Sequence, residues 1–322
     1  MNKKIVALAV AAAFAIPAAA SAQTTLFGQF KYEVGAIEDG TDRNAVHSTA
    51  GTRLGVRGSE DLGGGLKGIF RFQGSFSGAN APLGSNDWEL NEENWVGLQG
   101  GFGTLQLGRS NTAYKKGHTR FRIFDDSLAD TSLRPASFGR AEGVHYSSPN
   151  FGGLVVNATV EPNGNEFDAY YAVGANWSAG PLFVSAAFES AADTGLYQGG
   201  GKQIVPDNSN WQVGASYKLS DLTVGLLYQD VEDVATWATI PVTYQLGKVG
   251  LKATVQLRDN EDVGGNTGED GVNYGLGASY SFSPRTEAIV HIWREGDQDV
   301  AASTFNGAQE ETQLGLAVRH SF

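Results

Sequence analysis

Cysteine is absent from this 322-residue sequence, and only one methionine and five histidines are present. Without cysteine the chain cannot form a disulfide framework, so backbone pairing and size have to stabilise its fold. The histidines are His47, His118, His145, His291 and His320. Because they show none of the paired spacing that binds zinc, we interpret them as ordinary strand or loop residues.

Long apolar runs are also missing beyond the first 22 residues. No later stretch approaches the roughly 18 uninterrupted apolar residues that a membrane-spanning helix requires. The short apolar run at residues 5–15 follows two lysines and precedes an Ala-Ser-Ala cleavage site at residues 20–22. These are the three parts of a secretory signal peptide. We therefore expect residues 1–22 to be cleaved and residues 23–322 to form one domain, since no linker divides them.

Basic residues are fewer than acidic ones. The chain has 23 Lys and Arg against 35 Asp and Glu, a formal net charge of −12. The charge becomes −14 when the two lysines, Lys3 and Lys4, leave with the signal peptide. A nucleic-acid partner would need a basic stripe, so the composition argues against one.

Glycine and aromatic residues, by contrast, are abundant. The chain has 43 glycines, 17 phenylalanines and 11 tyrosines, which suits many short strands joined by tight turns. Beyond the signal peptide, apolar and polar residues alternate in one segment after another. In the clearest segment, one face holds Leu66, Phe70, Phe72 and Phe76, and the other holds Lys67, Arg71, Gln73 and Ser75. This alternation predicts an all-β fold.

The polar faces of these segments carry charges that a dry core could not hold. They are Lys31, Glu33, Arg53, Arg57, Arg71, Lys252 and Arg258. Because unpaired buried charges are very unfavourable, these faces must meet water and the apolar faces must meet lipid. The last segment, residues 312–322, alternates in the same way and ends on Phe322. Such a strand would pair with the first one and close a barrel without a free edge.

We count sixteen alternating segments, which fits the even strand numbers of bacterial barrels. Short turns are predicted at residues 63–65, 101–103, 150–152, 180–181, 220–221, 247–248 and 283–284. Longer connections alternate with them, so both termini fall at the end with the short turns. Aromatic residues beside these turns would form an interface girdle, namely Phe102, Phe151, Tyr217, Phe282 and Phe322. The predicted fold is a 16-stranded antiparallel transmembrane β-barrel with a water-filled lumen.

One connection, residues 110–140, is far longer than an ordinary hairpin loop. Its basic residues are Lys115, Lys116, Arg120, Arg122, Arg134 and Arg140, and its acidic residues are Asp125, Asp126 and Asp130. Six basic and three acidic groups give the connection a charge of +3. We expect it to fold inward, where it would narrow the channel and determine what passes.

Four motifs in order resemble the trimeric general porins of Gram-negative bacteria. They are LFGQF from Leu26, RLGVRGSEDL from Arg53, VGLQGGFGTLQLGR from Val96 and VHYSSPNFGG from Val144. With both ends of the chain, the resemblance covers essentially the whole sequence. It implies an outer-membrane homotrimer with periplasmic termini, in contact with lipid and lipopolysaccharide. The terminal strand would engage the barrel-assembly machinery, and each barrel would pass small hydrophilic solutes.

The resemblance also implies a constriction in which loop acids face wall arginines. Arg53 matches the wall arginine that precedes a Leu-Gly pair, and Arg140 matches the basic residue that closes the long loop. Side chains alternate between the two faces of a strand, and this alternation (strand parity) places Arg57 and Arg71 on the same inner faces. We therefore include both in the predicted constriction. The predicted loop acids are Asp125, Asp126 and Asp130. Their exact pairing stays open, because the loop lacks the Pro-Glu-Phe-Gly segment of enteric porins.

These residues predict that the channel selects solutes by electrostatic interactions and catalyses no reaction. We expect a weak anion preference, because charges beyond a Debye length of roughly 8–10 Å count less than those at the narrowest point. Two alternatives are a substrate-specific sugar channel and an outer-membrane barrel enzyme, although no nucleophile is identifiable beside His320. No cofactor is predicted. We interpret the acidic loop at residues 259–270 as a solvated loop, with a loosely held calcium ion as the alternative.

Overall fold

A single antiparallel sheet contains every strand in the described part of the chain. The computed structural model describes residues 23–38, 43–76, 88–128, 139–163, 166–191, 209–232, 235–260, 271–295 and 311–322. The predicted signal peptide lies outside these ranges. Within them, the sheet has 18 hydrogen-bonded segments.

Two pairs of these segments are halves of one interrupted strand. In each pair both halves bond to the same neighbouring strand, so these ranges contain sixteen strands, as predicted. The strands are β1 Gln23–Glu38, β2 Arg43–Ser48 with Arg53–Gly63, β3 Leu66–Phe76, β4 Trp88–Glu89 with Asn94–Gly100, β5 Gly103–Asn111, β6 Arg140–Ser147, β7 Leu154–Asn163, β8 Glu166–Ala179, β9 Leu182–Ala191, β10 Ser209–Leu219, β11 Leu222–Val231, β12 Ala235–Leu246, β13 Val249–Asn260, β14 Gly271–Ser283, β15 Thr286–Glu295 and β16 Glu311–Ser321.

Pairing of β1 with β16 closes the sheet into a barrel. The register runs from Gln29↔Ser321 to Glu38↔Thr312. Two backbone hydrogen bonds of 3.2 and 3.0 Å join Gly28 to Phe322 at the end of this seam. A Cβ on Gly28 would lie 2.8 Å from the Phe322 ring, so the close approach requires glycine. The terminal aromatic residue is therefore part of the closure.

The side chains divide between two environments, as the alternation predicts. The outer face is apolar and open, with Leu26 61%, Leu276 57% and Leu316 56% exposed. The inner face holds buried charges, among them Lys31 and Glu33. The predicted girdle residues Phe102, Phe151, Tyr217, Phe282 and Phe322 are all exposed. The barrel thus presents apolar groups outward and polar groups inward, as a barrel in lipid must.

All seven short turns are confirmed, and they lie at the end of the barrel that contains Phe322. Most are two-residue reversals in which glycine, or Ser220 with φ 54°, adopts the left-handed conformation. The strand ends that flank the eight other connections lie at the opposite end, including those of β5 and β6 on either side of the long connection. No helix among the described residues has the length and apolar character needed to cross a membrane.

Candidate pore constriction

The long connection between β5 and β6 starts with a short helix inside the barrel. Helix α1 spans Ala113–His118 and is followed by a 3-10 turn over Thr119–Phe121. Thr112 caps the helix, because its hydroxyl accepts a hydrogen bond from the backbone N–H of Lys115 at 3.1 Å.

Small wall residues make room for this helix. Ala172 and Ala187 of the barrel wall are buried against Ala113 and Tyr114 in one cluster. The carbonyl of Tyr114 accepts a 2.6 Å hydrogen bond from the Gln212 amide, which belongs to β10. The helix is therefore packed against the inner wall of β8 to β10 and does not extend away from the barrel.

Aromatic side chains continue the attachment around the wall. Phe121 lies over two glycines, since Cβ atoms on Gly214 and Gly225 would be 2.5 and 3.2 Å from its ring. Further along, Phe124 lies over Gly275 and Gly277 in the same way, at 3.2 and 3.0 Å. The segment thus follows the wall from β10 to β14, and a larger wall residue at these glycines would displace it.

The segment then reaches β1, on the other side of the lumen from β8. The Lys31 ammonium donates to the backbone carbonyl of Asp126 at 2.5 Å, and the N–H of Leu128 donates to Glu33 at 3.3 Å. Asp126 has φ 63°, an uncommon conformation for a residue other than glycine. A Cβ on Gly51 would lie 2.7 Å from Asp126, so the wall leaves just enough space for this turn. The predicted inward folding of the loop is therefore observed over its described part.

Arg53 and Arg140 form one charge cluster with two acids. Arg53 contacts Asp126 at 2.5 Å (Nη2 to Oδ1) and Glu92 at 3.4 Å (Nε to Oε2). Arg140 donates a hydrogen bond to the same Glu92 oxygen. Glu92 therefore bridges two guanidinium groups on the wall, while Asp126 joins the loop to one of them.

The loop has its own basic side chains in this region. Arg122 forms an ion pair with Asp125, so this acid neutralises a loop residue and not a wall arginine. Burial, followed by the neighbouring guanidiniums of Arg140 and Arg122, lowers the pKa of Lys115 to about 7. The guanidiniums of Arg140 and Arg122 thus lie close enough to Lys115 to disfavour its charged form.

Arg57 and Arg71 lie on the same wall but contact a different set of groups. They are direct cross-strand partners on β2 and β3. Both guanidiniums lie near the ring of Phe27, and Arg71 also contacts Glu93 at 3.0 Å (Nη1 to Oε2). Gln73 links this pair to the cluster around Arg53, because its amide oxygen accepts from Arg71 at 3.1 Å and its amide nitrogen donates to Glu92 at 3.5 Å.

The structure therefore brings Arg53, Arg140 and Asp126 together, while Asp125 lies beside Arg122. Asp130 is outside the described residues, and the role of all these groups in ion passage stays a prediction. Glu92 and Glu93 were not predicted from the sequence as pore residues. Both occupy the interruption of β4, where alternation fails, so strand parity could not indicate that they point inward. Two adjacent acids inside an interrupted strand were the one feature of the sequence that could have indicated these pore residues.

No metal site is apparent in the parts of the barrel that the structure describes, where no three His, Asp or Glu residues are grouped to hold an ion. The loop proposed for calcium falls mostly outside them, at residues 261–270. The calcium prediction therefore stays untested.

Comparison with known proteins agrees with this architecture. A family profile described as Gram-negative porin matches residues 7–298. Major outer membrane protein P.IB of Neisseria gonorrhoeae is 26% identical over 383 aligned positions, and that of Neisseria lactamica is 29% identical over 365. Both alignments cover 100% of this chain and of the relative.

Solved structures of porins share the fold. The anion-selective porin from Comamonas acidovorans superposes with a TM-score of 0.75 at 20% identity, covering 94% of this chain and 100% of the other. The Salmonella typhi OmpF complex with daunomycin gives a TM-score of 0.74 at 13% identity, with coverages of 94% and 98%. The profile matches most of the sequence, and the barrel presents apolar groups outward and polar groups inward. The chain therefore belongs to the Gram-negative porin family of outer-membrane channels.

Proposed function

We propose that this protein is a general diffusion porin with a weak preference for anions. Six basic side chains belong to the two wall clusters and the inner loop, namely Arg53, Arg57, Arg71, Lys115, Arg122 and Arg140. Among the described residues, four acids contact them, namely Glu92, Glu93, Asp125 and Asp126. This local excess of positive charge is the observation that carries the proposal.

The sign of this excess is opposite to that of the whole chain, which carries −12. Charges near the pore axis act on a passing ion at short range, whereas charges more than about 8 Å away are screened at physiological salt. Opposed basic and acidic groups across a narrow aqueous gap also produce a transverse field that orients dipolar solutes. The constriction should therefore determine selectivity in spite of the acidic composition.

Similarity to the anion-selective porin from Comamonas acidovorans supports the same direction of selectivity. That property belongs to the other protein, and at 20% identity the likeness concerns the fold. It adds a precedent for anion selectivity on this barrel architecture, while the charges named above supply the physical reason in this chain.

Conductance in a planar bilayer tests the proposal. With a tenfold KCl gradient, we expect the reversal potential to have the sign of chloride preference and a magnitude well below that of an ideal chloride electrode. Neutral sugars of similar size should enter proteoliposomes at similar rates. A reversal potential of the opposite sign would refute the anion preference, and strong discrimination among sugars would favour a substrate-specific channel.

We also propose that the channel is a homotrimer with its termini in the periplasm. Phe30 and Phe72, which face outward and are 52% and 50% exposed, would lie in the contacts between barrels. By strand parity Arg109 and Glu142 also face outward, and they form an ion pair at 3.6 Å (Nη1 to Oε1). Charged groups are unfavourable against lipid, so this face suits a protein neighbour. Conductance steps that occur in threes would test the assembly.

A further inference from the structure

Phe27 lies on the inner wall of the barrel in contact with two guanidinium groups. The guanidinium carbon of Arg57 is 5.1 Å from the centroid of the Phe27 ring, and that of Arg71 is 4.9 Å from the same centroid. Both distances fall within the roughly 6 Å over which a cation is attracted to an aromatic face. One aromatic ring therefore forms cation–π contacts with two arginines.

The strand register explains how one ring reaches both. Phe27 of β1 is paired with Gly55 of β2, and a Cβ on Gly55 would lie 2.6 Å from Cζ of the Phe27 ring. Glycine at this position lets the ring lie over β2 and approach β3. Arg57 and Arg71 occupy the adjacent row of the sheet as direct partners. Like charges directly opposite each other are normally destabilising, and the electron-rich face of the ring offsets that repulsion.

The two arginines differ in how their charge is compensated. Arg71 contacts Glu93 at 3.0 Å and donates to the Gln73 amide oxygen at 3.1 Å (Nε to Oε1). Arg57 has no carboxylate partner among the described residues, and its side chain is exposed to the lumen. The ring is thus the group that holds an uncompensated guanidinium beside a second one.

We propose that Phe27 is a positioning residue that holds Arg57 and Arg71 as a binding site for small oxyanions of the phosphate type. Planar guanidiniums donate paired hydrogen bonds that match the oxygens of such anions. Holding the side chains against a ring before the anion arrives reduces the entropy lost on binding. The site deepens the proposed function, since it rests on anions entering the pore.

Inhibition of the chloride current by inorganic phosphate, measured in a planar bilayer at pH 7, tests this role. We expect Phe27→Leu to raise the half-inhibiting phosphate concentration about fivefold, because it keeps an apolar side chain but removes the aromatic face. Phe27→Tyr should stay close to the wild type, since it keeps that face. Leu26→Ala is the matched control, because Leu26 lies on the same strand and is exposed on the outer surface. Normal single-channel steps would show that each variant has folded.

The outcomes separate this role from the anion preference itself. Equal half-inhibiting concentrations in the wild type and Phe27→Leu would overturn the site, even in a channel that prefers chloride. Absence of phosphate inhibition in the wild type would also overturn it. Conversely, a wild type that prefers potassium, but whose phosphate inhibition weakens in Phe27→Leu, would refute the anion preference and leave the role of Phe27 standing.

Discussion

Among single residues, Lys115 links the charge of the pore to pH. Burial and the guanidiniums of Arg140 and Arg122 lower its pKa to about 7 from the usual 10.5, while Asp125 and Glu92 oppose the shift. A lowered pKa means that the ammonium is charged at pH 6 and largely neutral at pH 8.5. We therefore expect the permeability ratio of chloride to potassium to fall by up to about twofold between these pH values.

Arginine at the same position provides the control, since its guanidinium stays charged throughout this range. Reversal potentials of Lys115→Arg should therefore change little between pH 6 and pH 8.5. An equal pH dependence in the wild type and Lys115→Arg would show that another group is responsible. The comparison isolates one side chain, because both proteins keep a long basic residue on α1.

Among the elements, the inner loop depends on wall glycines for its course. Phe121 occupies the space above Gly214, and a Cβ added there would lie 2.5 Å from the ring. We expect Gly214→Ala to displace the 3-10 turn and to destabilise the loop packing by about 1–3 kcal/mol. The measurable result would be a noisier open-channel current and a lower temperature at which the barrel unfolds in detergent.

Gly68→Ala is a suitable control, because the nearest side-chain atom to its Cβ would lie at 3.7 Å. It makes the same chemical change in another strand of the barrel but meets no close neighbour. If the two alanine variants had the same current noise and the same unfolding temperature, packing of Phe121 on the wall would not be what fixes the loop.

The same loop shows where prediction from sequence ends. Strands and turns could be located because alternation has a period of two and because glycine-rich turns mark each reversal. The course of the loop could not, since Phe121 meets Gly214 and Phe124 meets Gly275 through contacts that are distant in sequence. Glu92 was missed for a related reason, because an interrupted strand has no parity from which to infer its direction. Local patterns therefore predicted the barrel, while long-range contacts determine the constriction.

For the whole molecule, a buried contact crosses the final strand at the seam where the barrel closes. Glu33 of β1 approaches His291 of β15 at 2.8 Å (Oε1 to Nε2), and β16 lies between these two strands. Gly315 of β16 makes this possible, since a Cβ there would lie 2.2 Å from the Glu33 carboxylate and 2.5 Å from the His291 ring. Glu33 also accepts the hydrogen bond from the inner loop at Leu128. One carboxylate thus connects the seam of the barrel to the loop that narrows it.

Replacing Gly315 with alanine should therefore weaken closure and constriction together. We expect Gly315→Ala to separate Glu33 from His291 and to cost about 1–3 kcal/mol, because the added Cβ overpacks a buried contact. The ion pair of Glu33 with Lys31, at 2.5 Å (Oε2 to Nζ), should remain. The unfolding temperature in detergent should fall, and the open-channel current should become noisier because the loop loses its attachment. Leu316→Ala is the control, because it removes a larger outward side chain from the same strand and leaves this contact intact. A Gly315→Ala barrel as stable as the wild type would mean that backbone pairing alone holds the seam.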